Sequence, residues 1–244
     1  MSIDVENIFA AAQHIREVVV HTPLTFNTNL SAKYEANIYL KREDLQVVRS
    51  YKIRGAYHKM ATMSPDELAN GVVCASAGNH AQGVAYACHK MKVKGVIFMP
   101  TTTPAQKVKQ VRMFGKEWVT IELIGDTYDD SFYAAQEYVQ THQAVFVHPF
   151  NDQKVIEGQG TVGLEIFKDA DFKIDYLLFA IGGGGLAAGV STVFKNLSPK
   201  TKLIGVEPLG SPSMKESLAA GHVITLEYID KFVDGAAVKR VGDM

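Results

Sequence analysis

Only two cysteines occur in the 244 residues, Cys74 and Cys88. They form neither a disulfide framework nor a zinc-ligand pattern, and they read as small buried apolar groups. Charge of one sign is not in excess either. Lys and Arg number 25 against 26 Asp and Glu, a formal net charge of −1. That balance gives no electrostatic footing for nucleic acid or an anionic membrane. No apolar run approaches the ~18 residues of a membrane span. The opening "MSIDVENIFA" carries Asp4 and Glu6 in place of a basic-then-apolar leader. The eight histidines contain no H-x-x-x-H pair, so no metal is expected. Internal repeats, low-complexity tracts and charged linkers are also absent. A cytoplasmic protein without nucleic-acid or membrane partners is the expectation.

What is present is a core-forming composition, 47% apolar, in a chain long enough for one large α/β domain or two smaller ones. Seven stretches suit buried strands: 37–40, 71–76, 94–100, 118–123, 144–149, 175–182 and 202–208. Several are rich in Val and Ile without alternation, which predicts burial on both faces. Helical patterns lie between them at 52–63, 79–91, 104–114, 126–141, 154–168 and 185–196. The alternation predicts a mostly parallel sheet arrangement with right-handed crossovers. Any division into two domains is then made by chain crossing.

Two turns stand at strand ends, where open α/β sheets collect ligands. In "FAIGGGGLAAGV" a strand passes through four glycines into a helix at Leu186. Such a run suits close approach of the backbone to an anion at a helix start, a phosphate being the natural guest; a permissive turn with no ligand is the alternative. The spacing matches neither a nucleotide P-loop nor a dinucleotide fingerprint. In "ASAGNHAQG" small residues end a strand and open a helix. Either Ser76 or Asn79 caps the helix, or the turn is an amide nest for a carboxylate with the Asn79 side chain turned to a ligand. Lys52 heads a helical run after the turn-like "VVRS". A lysine can form a Schiff base with an aldehyde, and the aldehyde cofactor that also carries a phosphate is pyridoxal phosphate.

The chain resembles the threonine dehydratase (threonine ammonia-lyase) family of fold type II pyridoxal-phosphate enzymes over nearly its whole length. The likeness is carried by "KREDLQVVRSYKIRGA" (41–56), "SAGNHAQGVA" (76–85), "TTTPAQKVKQVRMFG" (101–115), "GDTYDDS" (125–131), "GGGGLAAG" (182–189), "GVEP" (205–208) and "FVDGAAVKRVGD" (232–243). "KREDLQ" followed by "VRSYK" favours the threonine dehydratase branch over serine racemase.

The resemblance implies a two-lobed α/β architecture of the tryptophan synthase β-like type with mostly parallel sheets. Residues 53–152 would make the small lobe, and 1–52 with 153–244 the large cofactor-binding lobe. The family continues beyond the point matching Met244, so the C-terminal part of the large lobe is expected to be missing, and with it the hydroxyl or thiol that faces the cofactor's pyridine nitrogen. Lys52 is implied to be the catalytic residue, holding pyridoxal 5'-phosphate as a Schiff base and then acting as a base. Gly182, Gly183, Gly184, Gly185 and Leu186 would bind the phosphate, and Asn79 the ring hydroxyl. Ser76, Ala77, Gly78, Asn79 and His80 would receive the carboxylate of an amino-acid substrate. The implied reaction is conversion of L-threonine to 2-oxobutanoate and ammonia by a homo-oligomer, in isoleucine synthesis or threonine catabolism. Serine dehydration, serine racemisation and a non-catalytic fragment are the alternatives. Asp234 and Gly235 match a family loop near the substrate. Arg54 is given no catalytic role, Glu43 and Asp44 read as salt-bridging, and Asp129 and Asp130 as solvated helix charges.

Overall fold

The computed structural model of the chain describes residues 3–243. Helix α1 (Val5–Ile15) starts at Asp4, whose carboxylate accepts from the Glu6 amide, and buries Ile8, Ala11 and Ile15 along one stripe. Strands β1 (Leu24–Phe26) and β2 (Tyr39–Lys41) pair antiparallel, with α2 (Thr28–Tyr34) between them. The buried strand expected at 37–40 is therefore corrected. It begins two residues later and is only half-buried, because it pairs with β1 alone, outside the parallel sheets.

Next come α3 (Lys52–Ala61), α4 (Pro65–Ala69), β3 (Val72–Ala75), α5 (Asn79–Met91), β4 (Gly95–Met99), α6 (Ala105–Gly115), β5 (Val119–Leu123), α7 (Tyr128–His142) and β6 (Val145–Phe146). Their strands form one parallel sheet in the order β5-β4-β3-β6. Period-two alternation divides the β3 and β4 side chains between two cores. Val72, Cys74, Ile97 and Met99 pack with Ile53 and Met60 of α3 and Val84 and Ala85 of α5. Val73, Ala75 and Phe98 pack with Ala135 and Phe132 of α7. Both faces of β3 are thus covered, as its unalternating sequence predicts. Cys74 and Cys88 are free and buried.

The chain ends with α8 (Gln153–Asp169), β7 (Tyr176–Ala180), α9 (Gly185–Leu197), β8 (Lys202–Val206) and α10 (Ser213–Ala220), β7 and β8 pairing in parallel. Helix α8 is the central pillar, packed against α1, α3 and α9. Its approach to α9 is close enough that a Cβ on Gly189 would lie 2.5 Å from the Ile156 carbonyl oxygen. Strands β7 and β8 depart from the sequence expectation of two-sided burial. Leu177, Phe179 and Leu203 face the α8–α9 core, but Tyr176, Leu178, Ile204 and Val206 are exposed, because among the described residues helices cover one face only. No described helix is long and apolar enough to cross a membrane.

Candidate active site

Lys52 is aimed by a local backbone device. Arg49 adopts a left-handed φ of 61°, uncommon for a residue with a side chain, and turns the chain so that Lys52 becomes the first residue of α3. Its Nζ crosses to the segment after β6 and donates to the Pro149 carbonyl oxygen at 3.0 Å. The Tyr51 ring lies 5.5 Å below the ammonium, measured to its centroid. The side chain keeps some surface toward an open depression, yet protein surrounds the amine closely, and desolvation lowers its pKa to about 8. At pH 7 such a lysine is neutral about one time in ten, against roughly three in ten thousand for an ordinary one. Reductive methylation with carbon-13 formaldehyde, read by NMR against Lys52→Arg, is expected to titrate Lys52 with a midpoint near 8. A midpoint at the ordinary lysine value of 10.5 would show that burial does not act on it.

The glycine turn lies beside Lys52. Gly182, Gly183 and Gly184 connect β7 to α9, whose first residues are Gly185 and Leu186. Gly184 has φ +95°, which a larger residue would strain to adopt, and a Cβ on Gly183 would meet the Phe150 ring at 2.2 Å. The first amides of α9 have no intrahelical acceptors and sit at the positive end of its dipole. Lys52, Phe150, Gln159, Gly182–Leu186 and Gly235 line one depression. The turn thus offers backbone donors, no acidic side chain and a lysine alongside, a donor set suited to an anion that also carries an electrophile.

The second turn opens α5, the helix that packs on the backbone of Lys52. Ser76, Ala77 and Gly78 leave β3, and Asn79 and His80 open α5. The alternative in which Ser76 or Asn79 caps the helix is corrected. Gly78 is the N-cap, no side chain caps α5, and the Ser76 hydroxyl accepts from the Gly78 amide at 3.2 Å. Asn79 is exposed, and its side chain makes no hydrogen bond among the described residues. His80 is buried. Its Nε2–H donates to the Val147 carbonyl oxygen at 2.8 Å, which leaves Nδ1 unprotonated and without a partner among the described residues. Burial, helped by the Lys52 charge, pushes its pKa down to about 3, so the ring is neutral. His148 accepts from the amides of Phe150 and Asn151 through Nδ1, and burial lowers its pKa to about 4.

Arg54 follows Lys52 by two residues but points away from it. Its side chain is fully buried, and all five of its N–H donors are used. Nε and one Nη2 hydrogen go to Glu43, the other Nη2 hydrogen and one of Nη1 to Glu165, and the last to Thr161. Lys41 extends the network to Glu165 and Asp169. Glu43 is therefore a structural partner, as its salt-bridging reading expects, and Asp44 pairs with Arg42. Asp130, read from sequence as a solvated charge, also closes a capping box with Thr127 at the start of α7. Asp234 pairs with Lys107.

The structure therefore brings Lys52 together with Gly182–Leu186. It places Ser76–His80 nearby through the packing of α5 on the Lys52 backbone, where a Cβ on Gly83 would lie 3.0 Å from the Lys52 carbonyl carbon. Pro149, Phe150 and Gln159 also line the site and do not stand out in the sequence. The first two continue from a strand end, the position where such sheets bind ligands, which is the one signal that could have marked them. Another, larger depression lies between α1 and α8 and includes neither Lys52 nor the glycine turn.

A family model described as pyridoxal-phosphate dependent enzyme matches residues 15–244. The chain is 62% identical over 242 residues to the biosynthetic L-threonine dehydratase IlvA of Halalkalibacterium halodurans, a match covering 99% of this chain and 58% of that protein. The chain thus spans under two thirds of the length of that curated relative. Among solved structures, the processed form of threonine deaminase isoform 2 from Solanum lycopersicum matches with a TM-score of 0.91 at 42% identity, over 100% of this chain and 67% of that one. Maize serine racemase matches with a TM-score of 0.94 at 31% identity, over 100% and 72%.

Proposed function

Since the chain belongs to the family of pyridoxal-phosphate dependent enzymes, we propose that it converts L-threonine to 2-oxobutanoate and ammonia. The observation that carries this reading is a desolvated lysine amine set beside a helix N-terminus built of glycines. The residues suit the cofactor: Lys52 Nζ for its aldehyde, Gly182–Leu186 for its phosphate, and the exposed Asn79 side chain for its ring hydroxyl. When bound, pyridoxal 5'-phosphate supplies an aldehyde to the lysine and a conjugated ring that withdraws electrons from the amino-acid Cα.

The chain's own groups do the rest. The small-residue turn Ser76–His80 receives the substrate carboxylate on its amides. Neutral His80 adds no charge there. Once its amine is free, Lys52 takes the Cα proton, and its lowered pKa keeps a usable neutral fraction near pH 7. Water is lost from Cα and Cβ and regained on hydrolysis, so threonine yields 2-oxobutanoate and ammonia without net gain or loss of atoms. On this reading the chain acts in the biosynthetic role that its relative's name supports, as a cytoplasmic homo-oligomer. Residues 53–152 then form a small lobe, and 1–52 with 153–244 a large one.

The backbone likeness to serine racemase supports a second reading of the same site. Both are tested by supplying pyridoxal 5'-phosphate with L-threonine or L-serine and measuring 2-oxobutanoate, pyruvate and D-serine. Faster release of 2-oxobutanoate is the expected result. D-serine as the main product would replace the first reading by the second, and no product from either substrate would overturn both.

A further inference from the structure

Gln159 sits in the middle of α8 with about 1% of its surface exposed, where α3 and the glycine turn converge. Its Oε1 accepts from the Gly55 amide at 3.3 Å. That amide can only donate, so it fixes the orientation of the carboxamide and leaves Nε2 as the uncommitted donor. Nε2 has no partner among the described residues. A buried donor without an acceptor is uncommon in a native fold and calls for a reason. Gly55 makes the space for it, since a Cβ there would lie 2.4 Å from Nε2.

Gln159 lines the same depression as Lys52, Phe150 and Gly182–Leu186. We propose that Nε2 of Gln159 donates to the phosphate that the glycine turn receives, as the side-chain donor in a subsite otherwise built of backbone amides. This rests on the reading of Gly182–Leu186 as a phosphate subsite. Two uncommitted N–H groups suit an anion with several equivalent oxygens. A neutral donor also binds the phosphate without adding a cation that would compete with Lys52 or raise the charge beside it. Gln159 is then a specificity-determining residue, favouring the phosphorylated form of the cofactor over its free alcohol.

The test is calorimetric binding of pyridoxal 5'-phosphate and of pyridoxal, with inorganic phosphate as competitor, to the parent, Gln159→Glu and Gln159→Met. Both variants keep the side-chain length. The glutamate also keeps an acceptor for the Gly55 amide but turns the donors into a negative charge. Affinity for pyridoxal 5'-phosphate is expected to fall about 10- to 100-fold in each variant, the size of one hydrogen bond to a charged group. Affinity for pyridoxal should stay within about twofold. Circular dichroism identifies a variant that fails to fold, and the other then decides the matter. Equal weakening of both ligands would mean that Gln159 only props up α3, and unchanged pyridoxal 5'-phosphate binding would also overturn the proposal. A parent that prefers neither ligand and does not bind inorganic phosphate would overturn the phosphate reading of the glycine turn itself.

Discussion

Lys52→Ala is expected to abolish covalent retention of pyridoxal 5'-phosphate and to cut threonine turnover by at least about 10³-fold. One amine is asked to hold the aldehyde and then to move the Cα proton, so a single truncation removes both functions. The loss is not one of folding. Among the described residues the Lys52 amine has one hydrogen-bond partner, the Pro149 carbonyl oxygen. The loss of one hydrogen bond is small beside the cost of keeping an amine desolvated, so the variant's melting temperature should match or exceed the parent's. Absorbance after gel filtration measures retention, and 2-oxobutanoate release measures turnover. A folded Lys52→Ala chain that retains the cofactor covalently would contradict the role given to Lys52.

Arg54→Met is expected to act on stability instead, by about 3–5 kcal/mol, because it leaves buried carboxylates facing no cation. For a chain of this size that is a fall in melting temperature of about 6–10 °C. The side chain of Arg54 is fully buried, while those of Glu43 and Glu165 keep only 13% and 16% exposure, so water relieves little of the penalty. The effect should depend on pH in a defined direction. Burial opposes the Glu165 carboxylate, but hydrogen bonds and charge from Arg54 and Lys41 outweigh it, and its pKa lies below the ordinary 4.5. A depressed carboxylate contributes stability above its unfolded value and loses it as pH falls through its folded one. The gap between parent and variant should therefore be widest near neutrality and narrow below about pH 4.5. Thermal melts of both proteins from pH 7 to pH 3 measure it. A gap that stays constant over that range would show that the loss is one of packing and not of charge.

The parallel sheet was legible because its strands carry continuous apolar runs, such as Val72–Ala75 and Gly95–Met99, separated by helices of ordinary period. The α/β class followed from that alternation, and the family from the motifs around Lys52, Ser76–His80 and Gly182–Leu186. Other elements were less visible. Helices α2 and α4, of seven and five residues, are too short for periodicity to declare them and are held by caps at Asn27 and Ser64. The stretch 144–149 reads as one strand, yet only Val145 and Phe146 pair with β3. Val147 still gives its amide to Val73, after which the chain leaves the sheet, and the carbonyls of Val147 and Pro149 go to His80 and Lys52.

Within the site, the four glycines were marked by a run that few other roles explain, and Lys52, which alone reads as an exposed helix charge, by the two turns and the motif around it. Gln159 was not, because an uncharged residue inside an amphipathic helix carries no sign of which neighbour it will meet. Arg54 shows the same limit. Its adjacency to Lys52 in the chain suggests a shared task, but two residues along a helix is about 200° around its axis, which sends the two side chains to different neighbours.

The most direct measurement is borohydride reduction of the chain loaded with pyridoxal 5'-phosphate, followed by peptide mapping. The pyridoxyl label is expected on Lys52, the amine that burial lowers to about 8 beside the glycine turn. Lys41 and Lys59 are the informative controls, since each is engaged in ion pairs, with Glu165 and Asp169 and with Asp152 respectively. A label found on either of them, with Lys52 unmodified, would contradict the account.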